Sequence, residues 1–123
     1  MTVNEVIAKV KDRKPNAYSE ESLNDWLNEC EAMVQRELLL TVPEEIVQYE
    51  WPEDRDKDVI LPKPYDALYV TYIIMMVQYV QEESVAYNNS LAMFNAQYQA
   101  AQSYFNKLDP NPPSLKVKNW FRG

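Results

Sequence analysis

Apolar residues recur along this chain in two rhythms, one helical and one alternating, and together they set out the expected elements. Val3, Val6, Ile7 and Val10 fall on one face of a helix, behind a Thr2–Glu5 capping box. The first helix is expected over residues 3–12, ended by Lys14-Pro15-Asn16, because a residue before proline disfavours helix. Ser19 is the next N-cap, with Glu20 and Glu21 in the first turn, where the helix dipole favours acids. Leu23, Trp26, Leu27, Cys30, Val34 and Leu38 then keep helical spacing, giving a second helix over residues 20–40.

The rhythm changes between Thr41 and Pro64. Ile46, Val47 and Tyr49 read as extended, as do Val59, Ile60 and Leu61, with the charged turn "EWPEDRDKD" between them. A β-hairpin or an extended loop pair is expected here, resting on the helices or on another subunit, since an isolated hairpin is marginal in water.

Lys63-Pro64-Tyr65-Asp66 opens the third helix, "YDALYVTYIIMMVQYVQEE". Tyr65, Leu68, Tyr69, Tyr72, Ile73, Met76, Tyr79 and Val80 form one face; Val70, Ile74 and Val77 lie opposite. A helix apolar on both sides is buried on both sides, and in so small a domain a neighbouring chain is a candidate cover for one of them. The fourth helix, from Asn88 or Ser90 to Leu108, places Leu91, Phe94, Tyr98, Ala101 and Phe105 on a shared inward face. From Val85 to Asn106 it carries no Asp, Glu, Lys or Arg, in a chain whose residues are 25% charged. Ala96, Ala100 and Tyr104 would admit another helix closely, with Asn and Gln hydrogen-bonding at the seam. Asp109-Pro110-Asn111-Pro112-Pro113 stops this helix, and the tail "SLKVKNWFRG" follows. The fold class expected is mainly α: a small bundle of about four helices over residues 1–109, including the hairpin or loop at 41–64, and an extended C-terminal tail over 110–123.

Composition narrows the chemistry. The 123 residues include no histidine and one cysteine. Histidine-based catalysis, an intramolecular disulfide and a Cys/His zinc site are thereby excluded. The only glycine is Gly123, so no phosphate-cradling glycine loop can be written. Cys30 reads as a buried structural thiol. The acids Glu50, Glu53, Asp54, Asp56 and Asp58 lack the glycine and terminal glutamate of a calcium loop, and read as a solvated turn. The apolar run from Ala67 to Val80 is too short to span a bilayer, and the N-terminus lacks the contiguous apolar core of a signal peptide. The expectation is a protein without enzymatic activity, metal or cofactor, and without a membrane partner. A net charge of −7 opposes non-specific nucleic-acid binding by the body. The tail is different: Lys107, Lys116, Lys118 and Arg122 against Asp109 give it a local charge of +3. Its Val117, Trp120, Phe121 and Arg122 are candidates for docking, either back on the domain or onto a partner, with a basic nucleic-acid-binding arm as a weaker option.

The segments "TVNEVIAKV", "KPNAYSEESLNDWLNECE", "LPKPYDALYVTYI" and "YNNSLAMFNAQYQAAQSYFNK" resemble those of phage and prophage head-tail connector proteins, also called head-completion or adaptor proteins. The resemblance covers nearly the whole chain and carries no catalytic motif. It implies a virion-neck protein, assembled in the bacterial host cytoplasm as a homo-oligomeric ring, commonly a dodecamer. Such a ring sits beneath the portal protein, extends the DNA channel without gripping the DNA, and receives the next neck, stopper or tail protein. The resemblance places contacts in the inter-helix connection, here Ile46, Tyr49, Trp51 and Ile60, and in the C-terminal tail. The residue pattern adds Val70, Ile74, Val77, Ala96, Ala100 and Tyr104 as candidates for contacts between subunits. Another neck or tail-completion component, or a helical protein–protein interaction module, is the alternative.

Overall fold

The computed structural model describes residues 1–108. Four helices carry the fold: α1 (Val3–Arg13), α2 (Glu20–Glu37), α3 (Ala67–Val80) and α4 (Ser84–Leu108). The first two start as their caps dictate. Thr2 Oγ1 accepts from the Glu5 amide at 3.1 Å while the Thr2 amide donates to Glu5 Oε1 at 2.7 Å, completing the capping box. That bond holds the Glu5 carboxyl below its ordinary pKa. Ser19 Oγ accepts from the Ser22 amide at 3.1 Å.

The hydrophobic α3 is the centre of the molecule. It packs against α1 and α2 and, along its length, against α4. The predicted two-sided burial of α3 is therefore met inside the chain. Val70 and Val77 are fully buried and Ile74 is half-buried. The expectation that this face meets another subunit is corrected, because α1, α2 and α4 already surround the helix. At the C-terminal end the reverse holds: Tyr79 and Val80, expected inside, are 61% and 43% exposed.

The 41–64 connection contains no strand among the described residues. It has one 3₁₀ turn (Pro43–Glu45), a series of turns over 51–56, and a single bridge between Thr2 and Asp58. The expected hairpin is replaced by a strap, and α2 supplies the reason. Asn28 accepts from the Tyr49 amide and donates to the Tyr49 carbonyl, at 2.8 and 2.9 Å. Gln35 treats Val47 in the same way, at 2.8 Å both times. Each carboxamide stands where a partner strand's peptide group would stand, so the buried backbone is satisfied without a ladder. On its other side the strap meets the start of α1. The Val3 and Asn4 amides, unpaired within their own helix, donate to the carbonyls of Lys57 and Arg55 at 2.9 and 2.8 Å.

Two helix boundaries also shift. α2 ends at Glu37 instead of residue 40, and Leu40 takes a left-handed φ of 55°. α4 begins at Ser84, a turn earlier than residue 88, after a Schellman-type close of α3. There the Glu83 amide reaches the Gln78 carbonyl and the Glu82 amide reaches that of Tyr79, at 2.9 and 3.1 Å. Glu82 occupies the left-handed position that glycine usually takes, with φ 59°.

Candidate interaction surface

Cys30 is fully buried, and burial raises its thiol pKa well above the ordinary value, so this thiol is chemically quiet. The chemistry in the core belongs to Glu31, which is fully buried on α2. Its Oε2 accepts from the Tyr49 hydroxyl at 2.6 Å and from the Ile60 amide at 3.0 Å. Its Oε1 accepts from the Tyr69 hydroxyl. Desolvation, then the nearby Glu31 charge, pushes the ionisation of both phenols far up, which keeps them donors. Three donors, two from the strap and one from α3, converge on one carboxylate of α2, so this is a structural joint between α2, the strap and α3.

That joint corrects part of the predicted contact surface. Tyr49 is buried and committed to Glu31, while Ile46, Trp51 and Ile60 are half-buried, Trp51 against the core. The connection between α2 and α3 presents Leu40, Val42 and Val47 instead, about half exposed. Glu31 itself escaped the sequence reading. The available signal was a polar stripe, Asn24, Asn28, Glu31 and Gln35, each one residue after an apolar position of the same helix (Leu23, Leu27, Cys30, Val34). A polar stripe that hugs an apolar one on a helix marks a segment lying over both.

α4 is built differently. Phe94 and Ala101 are its only buried residues, and Leu91, Tyr98 and Phe105 pack partly against the core, as their spacing predicted. Phe94 lies against Tyr72 and Tyr98, with ring centroids 5.5 and 5.7 Å away. The Tyr98 hydroxyl ties α4 to the end of α2 through Glu37, at 2.5 Å. Tyr104 points inward too. It stacks on Tyr65 at 4.6 Å and so does not share the outer face with Ala96 and Ala100, which are exposed. That outer face runs through Val85, Asn88, Asn89, Ala92, Asn95, Ala96, Gln99, Ala100, Ser103 and Asn106. At 1.5 Å per residue the helix is roughly 37 Å long. Over nearly all of that length its solvent side carries neither a charge nor an aromatic ring.

At the start of α4 a cleft of about 430 Å³ opens, lined by Gln78, Tyr79, Glu82, Glu83, Tyr87 and Asn88, among others. The Tyr79 and Tyr87 rings stand 5.7 Å apart at 50°. Glu83 pairs with Lys14 at 2.6 Å, and Glu82 makes no ion pair among the described residues. No histidine, cysteine or carboxylate grouping suited to a metal occurs among the described residues, and no helix there is long and apolar enough to cross a membrane. The tail candidates Val117, Trp120, Phe121 and Arg122 lie outside the described residues. Compared with models of protein families, with curated proteins and with solved structures, the chain matches none.

Proposed function

We propose that this protein is a structural assembly module, and specifically a head-tail adaptor whose copies join through the outer face of α4 into a ring on a portal. The observation that carries the reading is that face itself: a long, solvent-exposed helix surface with no charge from Val85 to Asn106. Exposed helices of soluble domains normally carry charge outward. The centres of protein–protein interfaces are depleted of it. Alanines at 92, 96 and 100 allow a close approach, and Asn and Gln offer hydrogen bonds whose partners in an interface carry no desolvated charge. The resemblance to connector proteins supplies the portal and the ring. A ring requires two different surfaces on each copy, since a head-to-tail contact closes only when the two complement each other.

The test is the mass of the full chain in solution, measured by sedimentation velocity across a wide concentration range, alone and with a phage portal protein added. Closed multi-copy species, formed alone or on the portal, are expected. A chain that stays monomeric at every concentration and ignores the portal overturns the reading.

A further inference from the structure

The cleft at the α3–α4 turn has a composition of its own. It combines two tyrosine rings, two carboxylates and neutral amides; Glu83 is already paired with Lys14, which leaves Glu82 as the carboxylate without a described cation. Tyr79 is 61% exposed although it ends the most apolar helix of the fold, and Val80 and Val85 beside the turn are 43% and 76% exposed. Aromatic faces beside carboxylates are the usual recognition chemistry for a cationic side chain on an apolar stem. Glu82 sharpens the point. A non-glycine residue at φ 59° is strained, and such positions cluster at binding sites. Here the strained residue is the carboxylate of the cleft that no described cation answers.

The chain contains a segment with the complementary chemistry. Residues 1–108 hold nine basic and eighteen acidic side chains, net −9; residues 109–123 hold three and one, net +2. Within "SLKVKNWFRG" the bases Lys116, Lys118 and Arg122 alternate with Val117, Trp120 and Phe121. Reach separates the two lysines from the rest of the segment. The cleft and Leu108 lie at opposite ends of α4, with about 30 Å of helix between Asn88 and Leu108. Lys116 and Lys118, eight and ten residues beyond Leu108, extend at most roughly 28 and 35 Å. A copy's own Lys116 and Lys118 therefore meet its own cleft only at nearly full stretch, a constraint that a neighbouring copy does not face; Arg122, fourteen residues beyond Leu108 and able to extend roughly 49 Å, is under no such constraint.

We propose that the cleft between the end of α3 and the start of α4 receives the Lys116 or Lys118 side chain from the basic, aromatic C-terminal segment (residues 114–123) of a second copy of this chain. The contact is heterologous: the donor's C-terminal segment and the acceptor's α3–α4 turn are different surfaces, as a ring needs. This inference rests on the assembly reading in that it presupposes association of copies.

The test uses the full-length chain in two forms. Isotopically heavy protein is mixed with light protein carrying a photo-crosslinking amino acid in place of Trp120, and the cross-linked peptides are assigned by mass. Mixed heavy–light links into the 78–88 segment are expected. In parallel, the synthetic peptide SLKVKNWFRG is titrated onto labelled full-length protein and followed by NMR. Shifts at Tyr79, Tyr87 and Asn88 are expected, weakening about fivefold in Glu82→Gly and in Tyr79→Ala. Neither variant threatens folding: Tyr79 is exposed, and glycine relieves the strained backbone at 82, so Glu82→Gly should melt no lower than the parent. Links confined to one copy, links only elsewhere, or peptide affinity unchanged in Glu82→Gly each overturn the inference. If rings form in the parent while no heavy–light links reach the 78–88 segment, the inference fails and the assembly reading stands. If no multi-copy species forms in the parent, the assembly reading itself fails.

Discussion

α2 and α4 both carry amide side chains beside their apolar faces, but they dispose of them in opposite ways. On α2 the amides and one carboxylate turn inward under the strap: Asn24 and Asn28 bind Tyr49, Gln35 binds Val47, and Glu31 gathers three donors. Among the described residues only Asn24 Oδ1 in this group lacks a partner. On α4 the amides Asn88, Asn89, Asn95, Gln99 and Asn106 point away from the domain. The difference teaches where each helix finishes its polar bookkeeping. α2 completes all of it but Asn24 Oδ1 within its own chain, and α4, apart from the buried Gln97 Oε1, leaves a face whose hydrogen bonds remain to be made with water or with another protein.

The sharpest way to break this contrast is at Glu31. Glu31→Ala leaves the Tyr49 hydroxyl, the Tyr69 hydroxyl and the Ile60 amide without their shared acceptor and opens a void. We expect a loss of about 3–5 kcal/mol in urea denaturation, enough to unfold a marginal domain. Replacing Tyr49 and Tyr69 by Phe along with Glu31→Leu should recover much of that loss, since both hydroxyl donors and their acceptor then leave together. A loss under 1 kcal/mol in Glu31→Ala would show that the strap does not hang on this carboxylate.

Asn28→Ala should cost less, about 1–2 kcal/mol by the same measurement, because it strips one amide–peptide pair from the buried Tyr49. A neutral result would mean that water takes over the Tyr49 backbone.

The tyrosines extend the comparison to pH. Burial and a carboxylate partner raise the pKa of Tyr49, Tyr69, Tyr72 and Tyr98 above the ordinary value near 10. A phenol raised in the fold keeps its proton longer there than in the unfolded chain. Its contribution is fully present below about pH 10 and is lost as pH rises beyond that. Stability should therefore be flat from pH 8 to about 9.5 and fall above 10. A titration of phenolate absorbance should show part of the nine tyrosines ionising only as the chain unfolds. All nine titrating together near pH 10 in the folded protein would contradict the buried joints.

Much of this fold is written in the spacing of residues such as Val3, Val6, Ile7 and Val10, and in caps such as Thr2 and Ser19, because helix periodicity and capping are local. The inward face of α4 was legible for the same reason. The strap was not. Residues 46–49 and 59–61 have the alternation of strands, but the groups that satisfy them sit on α2, some 12 to 29 positions earlier, and pairing between a helix side chain and a loop peptide leaves no periodic trace. The exposure of Tyr79 and Val80 was hidden by the same limit: their spacing continues the buried face of α3, and only the turn at Glu82 takes them past the end of the core. For the candidate interaction surface, the missing charge was visible in the sequence, while the separation of Ala96 and Ala100 from Tyr104 required the packing of Tyr104 on Tyr65.

The smallest effect on stability belongs to the claim that matters most. Ala96→Lys combined with Ala100→Lys places two charges on the exposed face of α4, touching nothing in the core. Thermal and urea unfolding should move by no more than about 0.5 kcal/mol. The direct measurement is the mass distribution of this double variant beside the parent, by sedimentation velocity at equal concentration, alone and on the portal. The account predicts an intact monomer that no longer forms multi-copy species. Assembly as complete as the parent's, with stability unchanged, would show the face to be plain solvent-exposed surface and would contradict the account.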